Sequence, residues 1–290
     1  MSGVDRIAGA PISWGVCEVP GWGHQLDPST VLGEMAGLGL TATEFGPDTF
    51  LPSNPSERAR TLAGHGLRAV GGFVPVLLHH GDHDPLPGLQ TELDAFVAAG
   101  AGTLVLAAAT GVDGYDVRPE LDDTGWKCLL TNLDRLADAA TERGIVPTLH
   151  PHVGTLVETP AEVDRVLTGS AIALTLDTGH LLIGGHDVVA LTAAAADRIA
   201  HAHLKDVRAD LAAQVQKGEI TYTAAVAAGM YVPLGTGDVD LAGILGTLQN
   251  GGYQGWYVME QDTILSGPEQ AEAALADVRA SLAFLTAILG

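Results

Sequence analysis

Imidazoles and carboxylates recur at the ends of short apolar runs along this chain. "GIVPTLHPH" ends in His150 and His152, "IALTLDTGH" in Asp177 and His180, and "IAHAHLKD" in His201, His203, Lys205 and Asp206. "GWYVMEQD" ends in Glu260 and Asp262, and Glu44 closes the shorter run "TATE". Each has an ordinary explanation when taken alone. An Asp before Thr-Gly caps a helix or closes a turn, and Lys205 beside Asp206 reads as an exposed ion pair of little worth. Together they read differently, because four successive runs end in imidazole, carboxylate, imidazole and carboxylate. His150, Asp177, His203 and Glu260 therefore form a candidate metal set. Two nitrogens and two carboxylates suit Mn2+, Co2+, Fe2+ or Zn2+ better than Ca2+, and the neighbouring polar groups would orient those ligands. Which of His150 and His152 is the ligand stays open at this level.

Such a set needs a fold that gathers the ends of the runs. Strands are expected over 6–14, 42–47, 68–76, 103–110, 145–152, 172–180, 199–207 and 255–262. Helical patterns lie between most of them, at 27–39, 55–66, 88–101, 125–144, 159–170 and 186–198, with a last one after Gly267. Near-continuous apolar strands alternating with helices imply a parallel sheet covered on its outer face. Eight such units fit an α/β (β/α)8 TIM barrel, in which strand carboxyl ends share one rim and carry the active site. Residues 1–290 are expected to form a single barrel domain, with a long loop insertion at about 208–240 after the seventh strand.

Composition narrows the function further. The chain has 290 residues, 47% of them hydrophobic and 17% charged, and a net charge of −21. That charge disfavours a nucleic acid or an anionic membrane as partner. The two cysteines, Cys17 and Cys128, are too far apart in sequence for a CxxC site and suggest no disulfide framework. The N-terminus has no signal-peptide pattern and no apolar run is long enough to span a bilayer, so a cytoplasmic location is expected. No GxGxxG follows the first strand and neither GxxxxGK[ST] nor GxSxG occurs. "GVDGYD" (111–116) and "GTGDVD" (235–240) lack the twelve-residue ligand spacing of a calcium loop.

With "LDTGHLLIGGHD" (176–187), "IAHAHLKDVR" (199–208) and "GYQGWYVMEQD" (252–262), the chain resembles the xylose-isomerase-like family of sugar isomerases and epimerases. "GAPISWG" (9–15), "ATEFGPDTFLP" (42–52) and "LHPHVGTLVET" (149–159) extend the likeness and point to its inosose dehydratase branch. The resemblance implies a barrel holding a divalent metal, usually Mn2+, Co2+ or Mg2+, on Asp177, His203 and Glu260. The fourth position, a glutamate in many isomerases and epimerases, is His150 here. Loss of that proton-transferring glutamate favours removal of water from a cyclic keto-polyol, of the 2-keto-myo-inositol type, through a metal-stabilised enolate.

In that chemistry His152 or His180 would act as base or acid, with Glu260 as a competing base. Glu44 and Lys205 would hold substrate hydroxyls, and Trp14 would pack against the ring. A ketose isomerase or epimerase, and β-elimination from another 3-keto sugar or glycoside, are the alternative reactions. A polyol-binding barrel or scaffold subunit is the non-enzymatic alternative. Exposed apolar helix faces would allow a homo-oligomer.

Overall fold

In the computed structural model, residues 2–290 are described. Eleven short strands follow in chain order: β1 Ile7–Gly9, β2 Ala42–Thr43, β3 Arg68–Ala69, β4 Gly71–Val76, β5 Thr103–Ala108, β6 Val146–Leu149, β7 Ala173–Asp177, β8 Ile199–Leu204, β9 Asp206–Val207, β10 Tyr231–Val232 and β11 Tyr257–Met259. Nine of them form one parallel sheet in the order β3-β2-β1-β11-β8-β7-β6-β5-β4. Its two edges, β3 and β4, are consecutive in the chain with only Val70 between them. The Val70 N–H donates to Thr43 O, and its carbonyl accepts from Thr103 N. The sheet therefore curls until its edges meet, and the third expected strand, 68–76, is split into two.

The helices are α1 Pro28–Gly37, α2 Pro55–Gly64, α3 Leu86–Ala99, α4 Asp123–Thr141, α5 Pro160–Gly169, α6 Thr178–Ile183, α7 Val188–Ala194, α8 Ala209–Gln216, α9 Tyr222–Ala227, α10 Leu241–Asn250 and α11 Ala271–Leu289. Their starts are written in the sequence. Asp27, Asn54, Asp122, Asp187 and Asp240 accept from first-turn N–H groups, and Thr159 with Glu162 forms a capping box. These contacts satisfy donors that a helix cannot satisfy itself. The apolar helix faces bury Leu32, Met35, Leu93, Leu129, Leu133 and Leu136, among others, in one large core around the sheet. Among the described residues, no helix is long and apolar enough to cross a membrane.

The strands are shorter than expected, and at three of them the chain does something else beyond the strand end. The first strand stops at Gly9, and residues 11–14 turn into a 3-10 helix opened by Pro11. The sixth stops at Asp177, whose carboxylate accepts from Gly179 N and His180 N at 2.9 and 2.8 Å and so starts α6. The seventh is interrupted at Lys205, and β9 instead pairs antiparallel with β10.

Residues 208–240 are not a bare loop: they contain α8, α9 and β10. The buried Asp206 carboxylate ties this segment to the rim, accepting from Gly235 N, Gly237 N and Val239 N at 2.8, 2.9 and 3.1 Å. A side chain at Gly237 would collide with that carboxylate. Residues 241–250, for which the sequence pattern offers no assignment, form α10.

Candidate metal centre and catalytic site

Strands β6, β7, β8 and β11 are neighbours in the sheet, so their carboxyl ends meet. Asp177 and His203 are direct cross-strand partners. His150 follows β6, and the Glu260 N–H donates to Leu204 O beyond β11. His150 Nε2 is 3.2 Å from Asp177 Oδ2, and His203 Nδ1 lies 3.7 Å from the same oxygen and 3.2 Å from Glu260 Oε2. Two ligands held about 2.1 Å from one ion lie about 3.0–3.4 Å apart, as octahedral or tetrahedral neighbours. The two 3.2 Å spacings fall in that range, and the 3.7 Å one lies a few tenths of an ångström beyond it. His150, Asp177 and His203 each present a ligand atom within 4.8 Å of the others, and Glu44, His201 and His203 form a second such trio.

The electrostatics point the same way. Glu44, Asp177, Glu260 and Asp262 are all buried, and Lys205 is the single buried Lys among them. The Lys205 ammonium is 2.7 Å from Asp262 Oδ1, 3.2 Å from Glu260 Oε2 and 3.5 Å from Asp177 Oδ2. Four buried carboxylates against one ammonium leave negative charge uncompensated, which a low-dielectric interior tolerates poorly. The imbalance acts on His203. Burial opposes a charged His203, yet Glu260 and Glu44 outweigh it and hold the imidazolium well above the ordinary range. Burial likewise works against an ionised Glu260, but His203 and Lys205 hold its carboxyl down to about 2. Among the described residues the buried Nδ1 of His150 has no hydrogen-bond partner, and that of His203 meets only carboxylate oxygens. A divalent cation at this centre would supply the missing charge and take the place of the proton on His203 Nδ1, so the donor set fits one.

Glu44 lines the cavity and also stands behind His203. Its Oε1 receives His201 Nε2 at 2.7 Å and His203 Nε2 at 3.1 Å, and the carboxylate is held well below its usual range. Burial raises it, and the charge of His203 followed by the hydrogen bonds from His201 and His203 outweighs that effect. A carboxylate only accepts, so Nε2 of His203 carries a hydrogen whatever the charge of the ring, and Nδ1 is the nitrogen turned to the centre that a cation would engage. A carboxylate behind a ligating imidazole fixes its tautomer and raises its basicity. Glu44→Gln is therefore expected to weaken divalent-metal affinity by about 10–100-fold, measured by titrating metal into chelated protein. An unchanged affinity would remove Glu44 from this role.

His152 lies beside the centre and is partly exposed to a cavity of about 210 Å³ lined also by His150, His203, Lys205 and Glu260. Its Nδ1 sits 2.7 Å from Val153 O. A carbonyl only accepts, so the hydrogen is on Nδ1 and Nε2 keeps a lone pair. Burial first, then the charge on Lys205, lowers the pKa of His152 below the ordinary value, so the ring is neutral at neutral pH.

His180, the other histidine expected in proton transfer, does not line the cavity. It stacks on His152 with ring centroids 3.6 Å apart, and its Nε2 is 3.0 Å from Lys205 Nζ. The short α6 started by Asp177 rotates it behind the rim.

Trp14 is also away from the cavity. It is fully buried, and its indole N–H donates to Glu34 Oε2 on α1 at 2.7 Å. The 3-10 turn at Pro11 carries it to the helix side of the sheet, so it fills core.

Four further side chains take part. Tyr222 OH donates to Asp262 Oδ2 at 2.6 Å and lies 2.9 Å from Tyr231 OH. Both tyrosines come from 208–240, so that segment covers the Lys205 side of the site. Tyr115 stacks against His152 with centroids 5.9 Å apart, and Asp262 anchors Lys205. Asp262 has a sequence signal, two residues beyond Glu260. The tyrosines have none, since no periodicity places them.

Comparison with known proteins agrees with this architecture. The family model "xylose isomerase-like TIM barrel" matches residues 32–287. The chain is 35% identical over 283 residues to the inosose dehydratase of Geobacillus kaustophilus, covering 91% of this chain and 90% of the relative. It is 33% identical over 276 residues to the rhizopine catabolism protein MocC of Rhizobium meliloti, covering 92% and 83%. Among solved structures, the IolI protein with a zinc atom bound superposes with a TM-score of 0.71 at 16% identity, over 98% of this chain and 99% of that one. By sequence over most of its length and by fold, the chain belongs to the xylose isomerase-like TIM barrel family.

Proposed function

We propose that this protein is a divalent-metal-dependent hydro-lyase that removes water from a cyclic keto-polyol of the 2-keto-myo-inositol type, with residues 1–290 acting as one barrel unit. The observation that carries this reading is a neutral imidazole, His152, with its Nε2 lone pair free beside a buried cluster short of positive charge. The inosose dehydratases at 30–35% identity over about nine-tenths of the chain support the same reaction. His150, Asp177, His203 and Glu260 would hold the metal. That donor set favours Mn2+ or Co2+, with Mg2+, Fe2+ and Zn2+ as further occupants. A bound divalent ion supplies Lewis acidity that makes the C–H beside a ketone easier to ionise.

The protein's own groups do the rest. His152 Nε2 removes the α-proton, and the electron pair of that C–H bond forms the new double bond as the β-hydroxyl leaves. The imidazolium then holds the proton that the departing hydroxyl needs, so the cycle closes on water. Lys205 places its positive charge beside the substrate oxygens, and its own position is fixed by Asp262. The cavity of about 210 Å³ suits one hydroxylated six-membered ring, since about 150 Å³ suffices for benzene. The partner is thus a small polyol ketone rather than a nucleic acid, and the separated cysteines agree with a cytoplasmic setting.

Stripping the metal with a chelator is expected to abolish water loss from 2-keto-myo-inositol, and added Mn2+ or Co2+ to restore it. The measurement follows the conjugated-carbonyl product, with isomerised ketone and released aglycone assayed separately. Full activity after chelation and dialysis, or isomerised ketone as the main product, would overturn the reading.

A further inference from the structure

"GVDGYD" (111–116) does not bind calcium by its spacing, and the metal centre does not account for it. It lies between β5 and α4 and delivers Tyr115 to the cavity wall. There the ring packs among Trp22, His152 and Tyr222, at centroid distances of 6.3, 5.9 and 4.8 Å. The backbone around it is fixed from two sides. Asp116 Oδ1 accepts from Tyr222 N at 2.8 Å. Gly154, at φ +79, leaves room for the Tyr115 backbone, where a Cβ would come within 2.7 Å of the Tyr115 Cα. The phenol is thus held in place, not loosely draped over the mouth.

Most donors around this cavity are already committed. The Trp22 indole N–H donates to Thr263 O at 3.0 Å, the His152 Nδ1–H to Val153 O, and the Lys205 ammonium meets Asp262, Glu260 and His180. The Tyr115 hydroxyl has no hydrogen bond to any described residue, and it is not sealed from solvent. The groups whose charges act on it, Cys17, Asp262, Glu18 and Lys205, all line the same cavity. Burial, the largest influence, keeps the phenol protonated, so it is available as donor and acceptor throughout the working pH range. A fixed, uncommitted hydroxyl beside the imidazole base is placed to recognise a ring hydroxyl.

We propose that Tyr115 is a specificity-determining residue whose phenolic hydroxyl hydrogen-bonds one hydroxyl of the ring near the carbon that His152 deprotonates. This rests on the reading of the cavity as a keto-polyol site. A buried partner left unpaired by an analogue costs binding, so the contact discriminates between hydroxylated and deoxygenated rings.

The test is a cycle in protein and ligand. Metal-reconstituted wild type and Tyr115→Phe, which keeps the ring stack, are titrated calorimetrically with 2-keto-myo-inositol and each of its monodeoxy analogues. Turnover is followed in parallel. The expected result is about tenfold weaker binding of the parent by Tyr115→Phe, unchanged metal affinity, and equal affinity of the two proteins for one particular monodeoxy analogue. Equal losses for every ligand, or no loss for the parent, would overturn the proposal. Coupled binding without water loss would leave Tyr115 in place and sink the dehydration reading. Water loss without coupling would do the reverse.

Discussion

His152→Gln is expected to lower kcat by about 10²–10⁴-fold, the usual worth of a positioned general base, while metal content stays unchanged. The split is the informative part. His152 has its Nδ1 on Val153 O, forms no hydrogen bond to Asp177, Glu260 or His203 among the described residues, and meets His150 only through an edge-on ring contact with centroids 5.3 Å apart. Loss of the imidazole should remove proton transfer without emptying the centre.

The wild-type pH profile offers a second check. Burial and Lys205 disfavour the imidazolium, so His152 stays a base as pH falls through the ordinary histidine range. The acid limb of kcat/KM therefore lies below that range, and in His152→Gln the limb should vanish with the activity. Equal activity in the variant, or loss of metal with loss of turnover, would reject the assignment.

Asp177→Asn should cost about 100-fold in divalent-metal affinity, the upper end of the range for groups that stand behind a metal ligand, with only a small fall in thermal stability. The reason is a division of labour within one carboxylate. Oδ1 accepts from Gly179 N and His180 N and starts α6, whereas Oδ2 faces His150, His203 and Lys205. Asn can keep the cap through its carbonyl while turning an amide NH2 toward the centre, where it repels a cation. Asp177→Ala loses both functions, and the missing cap adds about 1 kcal/mol of destabilisation. Metal titration and thermal melting on the two variants separate the roles. Retained affinity in Asp177→Asn would take Asp177 out of the metal set.

Much of the fold was legible because its signals are local. Asp27-Pro28, Asn54-Pro55 and Thr159-Pro160-Ala161-Glu162 announce helix starts, and short runs such as "TLVLAA" alternating with helical patterns read as strands buried on both faces. The convergence of His150, Asp177, His203 and Glu260 was legible for a related reason. Parallel strands of one barrel deliver residues at their carboxyl ends to one rim, so position along each run stands in for position in space. Trp14 and His180 break that rule, because each lies inside a helical turn that starts where its strand stops. Pro11 diverts one and the Asp177 cap diverts the other, and a one-residue change in where a strand stops re-aims every side chain after it.

Residue type and order along the chain thus determined the barrel, the acidic character that disfavours nucleic acid, and the imidazole–carboxylate set. Only the tertiary structure decided which groups touch. It put Glu44 behind His203, and it fixed His152 with its lone pair outward. It also folded 208–240 into helices that bring Tyr222 and Tyr231 onto Asp262, and it left the Tyr115 hydroxyl uncommitted in the cavity. Apart from the hydrogen bond of His152 to the adjacent Val153, those are contacts between residues far apart in the chain, such as Glu44 and His201 or Asp116 and Tyr222. Periodicity encodes the face an element buries but carries no information about which distant donor meets which acceptor, and that pairing assigns the roles at this site.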